Sequence, residues 1–204
     1  MQFHDGKFKI LLLADIQDTD TPRRPTKDLL CAALDKTKPD LAVLLGDNTG
    51  GNWSRVDVRR TQKAVDAVAR ELYNRGVPFA LVFGNHDHEG LCNAKNGMTE
   101  KEAKRLLLSM FQAYPNCLSC EGEPMTGVGN YNLLLKDSRG QKDIFNLWFF
   151  DSNPYAPQEE GGGYGYVHED QIAWYEKTSA ALTEKNGGVP LPSLLFQHIA
   201  VPEV

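Results

Sequence analysis

Long apolar runs and an excess of positive charge are both absent from this sequence of 204 residues. No run approaches the roughly 20 apolar residues that a membrane-spanning helix requires. The formal net charge of −5 gives no basic signature of a nucleic-acid-binding protein. The N-terminal residues lead into a predicted strand without the apolar segment of a signal peptide. We therefore expect a cytoplasmic protein with no membrane and no nucleic-acid partner.

Cysteine is scarce, with four residues in the chain: Cys31, Cys92, Cys117 and Cys120. This number is too small for a disulfide scaffold at this length. Cys117 and Cys120 form a single C-x-x-C pair, but a structural zinc site requires a second pair at suitable spacing. A redox or zinc module built on this pair is therefore the least supported interpretation.

The composition is otherwise that of an ordinary globular protein, with 41% hydrophobic and 24% charged residues. One domain over residues 1–204 is expected, because this length suffices for a substantial core. Three apolar runs alternate with two helical patterns, which predicts a β-α-β-α-β unit with parallel strands. These runs are Phe8–Ala14, Leu41–Leu45 and Pro78–Phe83. Thr26 is predicted to cap the first helix, and Ser54 with Asp57 the second.

The second half of the sequence has a different order of predicted helices and strands. Thr99 and Glu102 predict a capping box for a third helix, whose inward stripe is Ala103, Leu106, Leu107, Met110 and Phe111. The runs Tyr131–Leu135 and Ile144–Phe150 predict a hairpin. A helix over about 169–183 and a short strand at 194–196 follow. The fold class is therefore α/β.

Polar side chains follow the strands of the predicted sheet at their carboxyl ends. They are Asp15, Gln17, Asp47, Asn48, Asn85, His86, Asp87, His88 and His198. Such ends lie along one rim in a mostly parallel sheet, where open α/β proteins place their sites. Carboxylate, amide and imidazole groups without a thiolate suit ions such as Mn, Fe, Zn or Ni. Two ions sharing a carboxylate can clamp an in-line displacement at phosphorus, with attack by a metal-bound hydroxide and an imidazole protonating the leaving group.

The ordered motifs resemble those of the calcineurin-like metallophosphoesterases. They are Asp15-Ile16-Gln17, Gly46-Asp47, Gly84-Asn85-His86-Asp87 and His198, each after a hydrophobic strand. Segments 148–152 and 196–203 look similar to the branch related to purple acid phosphatases and Dcr2-type phosphatases. The resemblance spans about residues 8–203. It implies a layered α/β/β/α sandwich, two divalent or trivalent metal ions (Mn, Fe or Zn), and hydrolysis of phosphate mono- or diesters. The implied substrates are phosphorylated small molecules or phosphoproteins.

The resemblance also assigns metal ligands by position. Asp47 would bridge the two ions, and Asn85 and His198 would bind the second ion with it. Asp15 would bind the first ion. Gln17 stands where the family has histidine, so it would coordinate weakly, act through water, or only shape the site.

Catalytic roles follow in the same way. His86 would be the catalytic histidine over the leaving group, held in place by Asp87. His88 and Asn48 are either substrate-binding residues or ordinary loop residues. The same two alternatives apply to a further set at the mouth of the site, namely Asn52, Trp53 and Arg55.

The family's final G-H-x-H motif is absent from this sequence. We therefore expect a C-terminally truncated domain that lacks part of the second sheet and exposes a sheet edge. A homodimer or a missing C-terminal segment would cover that edge. The absence also favours an alternative function, a non-catalytic metal-binding or scaffold domain with a degenerate site. The intact Gly84-Asn85-His86-Asp87 motif argues against that alternative.

Overall fold

Two three-stranded sheets form the centre of the molecule. The computed structural model describes residues 1–50, 57–93 and 96–201. The strands are β1 (Ile10–Leu13), β2 (Leu41–Leu45), β3 (Phe79–Val82), β4 (Tyr131–Lys136), β5 (Asp143–Phe149) and β6 (Ser193–Phe196). The helices are α1 (Arg24–Thr37), α2 (Val58–Asn74), α3 (Glu100–Gln112) and α4 (Glu169–Lys185), with a 3₁₀ turn at Gln158–Glu160.

The first sheet is entirely parallel, in the order β1-β2-β3. The sequence LAVLL of β2 is apolar throughout, as expected for a strand that is covered on both faces. Leu44 and Leu81 face a core that includes Leu34 of α1, Leu72 of α2 and Leu107 of α3. The three helices therefore cover one face of this sheet.

The second sheet, in the order β4-β5-β6, packs on the other face of the first. β5 pairs antiparallel with β4 and parallel with β6. Val43 and Val82 share a buried cluster with Phe149 and Phe196. On the outer face of β5, Trp148 packs against Trp174 of α4. The layers therefore run helix, sheet, sheet, helix, which confirms the predicted α/β/β/α sandwich.

The cap of α1 differs from the prediction. Thr26 is predicted as the cap, but the helix begins at Arg24, and Arg23 is the capping residue. Pro25 lies in the first turn, where its fixed φ and missing N–H carry no cost. The cap therefore lies three residues earlier than predicted, and the prediction of Thr26 is wrong.

The other two helix caps lie closer to expectation. Asp57 caps α2 and accepts a hydrogen bond from Arg60 N, whereas its predicted partner Ser54 lies outside the described residues. The same holds for the mouth residues Asn52, Trp53 and Arg55. The capping box of Thr99 and Glu102 on α3 is confirmed, with both reciprocal hydrogen bonds present.

Each sheet has an edge strand that pairs on one side only within the described chain, β1 in the first and β6 in the second. Leu12 on β1 and Leu195 on β6 are 51% and 49% exposed. That a second copy or a further segment covers these edges stays a prediction. Among the described helices, none combines the length and the apolar character needed to span a bilayer.

Candidate metal centre

The loops after β1 and β2 are joined by backbone hydrogen bonds. The N–H of Asp15 donates to the carbonyl of Gly46 at 3.1 Å, and that of Gln17 donates to the carbonyl of Asp47 at 3.0 Å. Asp15, Gln17 and Asp47 all have positive φ angles, between 39° and 54°. This left-handed backbone turns the chain sharply past the strand ends and holds the two loops side by side.

Three predicted ligands converge at this rim. Asp15, Asp47 and His198 each offer one ligand atom, and the three atoms lie within 4.8 Å of one another. Nε2 of His198 lies 3.2 Å from Oδ1 of Asn85 and 3.5 Å from Oδ2 of Asp47. Four of the predicted metal ligands therefore meet at one point, although their sequence positions span more than 180 residues.

His198 is oriented by the end of β2. Its Nδ1 lies 2.9 Å from the carbonyl oxygen of Leu45. A proton on Nδ1 donated to that carbonyl leaves Nε2 to face the cluster, which is the usual arrangement of a ligating histidine. Without metal, the hydrogen bond with Asp47 raises the pKa of His198 to about 9.

Asp47 is a buried carboxylate at the centre of the cluster. Burial favours a higher pKa, but hydrogen bonds from His198 and from the backbone N–H of His86 outweigh burial and hold the pKa below its usual value. Among the described residues, no lysine or arginine pairs with it. The carboxylate therefore keeps its negative charge available to a cation.

Two glycines make room for the ligands. A Cβ on Gly84 would clash with the carboxylate of Asp47, and a Cβ on Gly46 would clash with the ring of His198. Gly46 also has a φ of +89°, which side chains rarely adopt. Carboxylate, imidazole and amide oxygen donors within this cradle fit a divalent ion of the Mn, Fe or Zn type.

Gln17 is exposed, and it turns its amide nitrogen toward the cluster. Nε2 donates to Oδ2 of Asp47 at 2.6 Å. A glutamine ligates a metal through Oε1, so this rotamer presents the donor end of the amide rather than the ligand end. The amide therefore stabilises the charge of Asp47 in this orientation.

Asp87 lies below the rim and joins the loops after β2 and β3. Its Oδ1 accepts from the N–H groups of Asn48 at 2.8 Å and Thr49 at 3.0 Å. Its Oδ2 accepts from the N–H of Gly84 at 2.8 Å. Burial raises the pKa of Asp87 to about 6 even though these donors favour the carboxylate. The imidazole of His86 is not among its hydrogen-bond partners in the described chain.

Asn48 takes part in the same buried joint. Its Nδ2 donates to the carbonyl of Val82 at 3.0 Å and to Asp87 at 3.3 Å. Its side chain is 2% exposed. Asn48 is therefore enclosed in the loop support rather than presented at the surface.

His86 lies at the surface of the rim, with 38% of its side chain exposed. Nδ1 is 2.9 Å from Oε1 of Glu89, although the angle is not that of a hydrogen bond. Nε2 is the nitrogen that remains for a molecule in the cleft beside Asn85 and Tyr155.

His88 belongs to a different environment from His86. Burial is the main cause of its lowered pKa, and the charges acting on it are those of Glu100, Lys104, Glu89 and Asp151. Its Nδ1 has no hydrogen-bond partner among the described residues. His88 is not part of the group of ligand atoms formed by Asp15, Asp47 and His198.

Tyr155 is a site residue that the sequence reasoning missed. Its hydroxyl accepts a hydrogen bond of 2.9 Å from Nδ2 of Asn85. This contact fixes the amide so that Oδ1, the ligand atom, faces His198. The available signal was its position four residues after Asp151, in the loop that follows a strand-end motif.

A match to a known protein family accompanies this geometry. A family model described as calcineurin-like phosphoesterase matches residues 8–191. The chain belongs to this family. The family accounts for a metal-binding rim at the strand ends and confirms the resemblance drawn from the motifs.

Similar curated proteins come from a plant and a yeast. The chain is 31% identical to "Probable inactive purple acid phosphatase 14" and 29% identical to "Probable inactive purple acid phosphatase 29", both from Arabidopsis thaliana. It is 27% identical to "Phosphatase DCR2" of Saccharomyces cerevisiae. Each alignment covers 98% of this chain, but only 55%, 56% and 36% of the respective relative. The chain therefore spans about half the length of the two plant relatives.

Proposed function

We propose that this chain carries the metal-binding core of a phosphoesterase that hydrolyses phosphate mono- or diesters with two divalent or trivalent ions. The observation that carries the proposal is the meeting of Asp15, Asp47, Asn85 and His198 at one rim. The substrate would be a phosphorylated small molecule or a phosphoprotein. Family membership and the similarity to a yeast protein named as a phosphatase support this chemistry.

The ligand roles are assigned as follows. Asp47, central and without a lysine or arginine partner in the described chain, would bridge the ions. Asn85 and His198 would hold one ion with it, and Asp15 would hold the other. When bound, the ions supply positive charge for the phosphoryl oxygens and lower the pKa of a coordinated water. Gln17 would support Asp47 through its amide nitrogen, unless the amide rotates to ligate.

His86 would donate a proton from Nε2 to the leaving oxygen of the substrate. Its Nδ1 lies 2.9 Å from Oε1 of Glu89, which leaves Nε2 to face the substrate. Asp87 would act indirectly, because its carboxylate fixes the backbone of the loops that carry Asp47 and His86. Asn48 would support that joint, and His88 would lie behind the site and not touch the substrate.

The first experiment is elemental analysis of metals per chain, on protein purified without chelator, followed by a screen of phosphate esters. We expect two transition-metal ions per chain and hydrolysis of at least one ester class. His86→Ala should leave the metal content nearly intact and lower kcat by roughly 10²–10⁴-fold, the usual contribution of general acid catalysis. Loss of metal in this variant would show that His86 is a ligand rather than a proton donor.

A second candidate function is a non-catalytic metal-binding or scaffold domain. The donor end of Gln17 at the centre favours it, as do two relatives whose names include "probable inactive". One metal ion per chain and no turnover of any ester would establish this candidate over the first.

A further inference from the structure

The loop between β5 and α4 places two tyrosines directly opposite each other. Tyr155 and Tyr164 form an isolated antiparallel bridge. Flanking hydrogen bonds close it on both sides, from Ala156 N to Gly163 O at 3.1 Å and from Gly165 N to Pro154 O at 3.2 Å. The backbone of the loop is therefore fixed where the two side chains project.

The two aromatic rings lie side by side at the surface. Their centroids are 6.4 Å apart, and their planes differ by 17°. Tyr155 is 48% exposed and Tyr164 is 65% exposed. Adjacent exposed aromatic rings on a fixed loop are typical of a binding surface. A flat apolar group can pack against both rings at little entropic cost.

These rings adjoin the candidate metal centre. A cleft of about 420 Å³ is lined by Asn85, His86, Tyr155, Ala156, Gln158, Gly163 and Tyr164. Asn85 is a predicted ligand, and His86 is the proposed proton donor to the leaving group. The proposed proton donor and the two rings therefore line the same cleft beside the metal centre.

We propose that Tyr155 and Tyr164 form an aromatic leaving-group subsite, and that the preferred substrates are aryl phosphate monoesters of the tyrosine phosphate type. The proposal rests on the phosphoesterase function above. In an aryl ester the ring is bonded to the leaving oxygen itself. His86 can therefore protonate that oxygen while the two tyrosines pack against the attached ring. A nucleotide would instead place its sugar at the rings.

The reaction is a hydrolysis. Water adds to phosphorus, the bond between phosphorus and the aryl oxygen breaks, and the phenol leaves with a proton from His86. The proton that the water loses then reprotonates His86. Inorganic phosphate is the second product. The tyrosine rings take no part in bond making, because they only hold the aryl group and set specificity.

The activity test compares phenyl phosphate with glycerol phosphate, with Mn²⁺ added. Tyr164→Leu should lower the ratio of kcat/KM for phenyl over glycerol phosphate by about 3- to 10-fold, mainly through KM, as expected for one aromatic contact. Tyr164→Phe keeps the ring and should keep the ratio. Tyr73→Leu, which changes a tyrosine on α2 that is 49% exposed, should also leave the ratio unchanged. An unaltered ratio in Tyr164→Leu overturns the subsite.

A binding measurement separates this proposal from the phosphoesterase function. Calorimetry with phenylphosphonate and methylphosphonate on the Mn²⁺-loaded chain should show tighter binding of the phenyl compound, dependent on the ring of residue 164. That result without hydrolysis of any ester would retain the subsite and reject the phosphoesterase. Equal affinities would reject the subsite whatever the activity. Tighter binding of a phosphotyrosine peptide than of phenyl phosphate would identify proteins as the source of the aryl group.

Discussion

Asp47 and Asp151 occupy matching places in the two sheets. Each lies two residues after the end of a buried strand, β2 for Asp47 and β5 for Asp151. Their side chains are equally enclosed, with 2% and 1% exposed. Strand-end position and burial therefore do not distinguish them.

The neighbouring charges do distinguish them. Both oxygens of Asp151 accept from Nζ of Lys104, at 3.0 and 2.7 Å, and Lys104 is itself fully buried. Asp47 has only Gln17, a backbone N–H and His198 as described partners. Lys104 holds a permanent positive charge beside Asp151, whereas His198 beside Asp47 can give up its proton and bind a metal, which then balances the charge of Asp47. The comparison teaches that the counter-charge decides which strand-end aspartate becomes a ligand.

The largest expected effect comes from breaking the pair at Asp151. Lys104→Met should lower the free energy of unfolding by about 3–5 kcal/mol, because Asp151 is left as an uncompensated buried charge. Urea unfolding measures the change. Metal content per folded chain should stay the same.

The double variant Lys104→Met with Asp151→Asn is the control for that result. It removes both charges, so it should recover a large part of the lost stability. If the double variant is as unstable as the single one, packing at Lys104 rather than its charge is responsible.

Asp47→Asn should have the complementary effect. We expect the affinity for both ions to fall by about 100-fold or more, above the 10–100-fold that outer partners of a ligand contribute. Far-UV circular dichroism should show a retained fold. Selective loss of one ion, measured by elemental analysis, would contradict the bridging role.

Gln17→His should strengthen metal binding, and its effect should be smaller than that of the two changes above. Imidazole nitrogen is a better ligand than an amide for these ions, so the weaker-binding ion should bind roughly 10-fold more tightly. Calorimetric titration of Mn²⁺ into metal-free protein measures this. Gln17→Ala serves as the control, since it removes the amide without adding a ligand, and equal affinities in the two variants would reject Gln17 as a ligand position.

Much of the fold was predictable because the signals are local. The limits of β2 follow from five consecutive apolar residues, and the start of α3 follows from a capping box of four residues. His198 follows β6 of the second sheet, but the meeting of Asp15, Asp47 and Asn85 follows from parallel topology, which places the carboxyl ends of β1, β2 and β3 together. These features need no knowledge of side chains far away in the sequence.

The features that the sequence concealed depend on distant partners. Lys104 stands in an amphipathic helix, where a lysine is expected on the solvated face, and its partner Asp151 is 47 residues away. Tyr155 reaches Asn85 across 70 residues through an irregular loop. Neither contact has a periodicity or a motif, because each is produced by the packing of the second sheet on the first.

The cradle at Gly46 and Gly84 has a use in comparing sequences. Alanine in place of Gly46 would displace His198, and alanine in place of Gly84 would displace Asp47. Every ligand residue would nevertheless still be present in the sequence. A homologous chain with all four ligands but a side chain at one of these two positions is therefore expected to have a distorted centre. In directed evolution, these are the two codons to leave out of any library meant to retain metal.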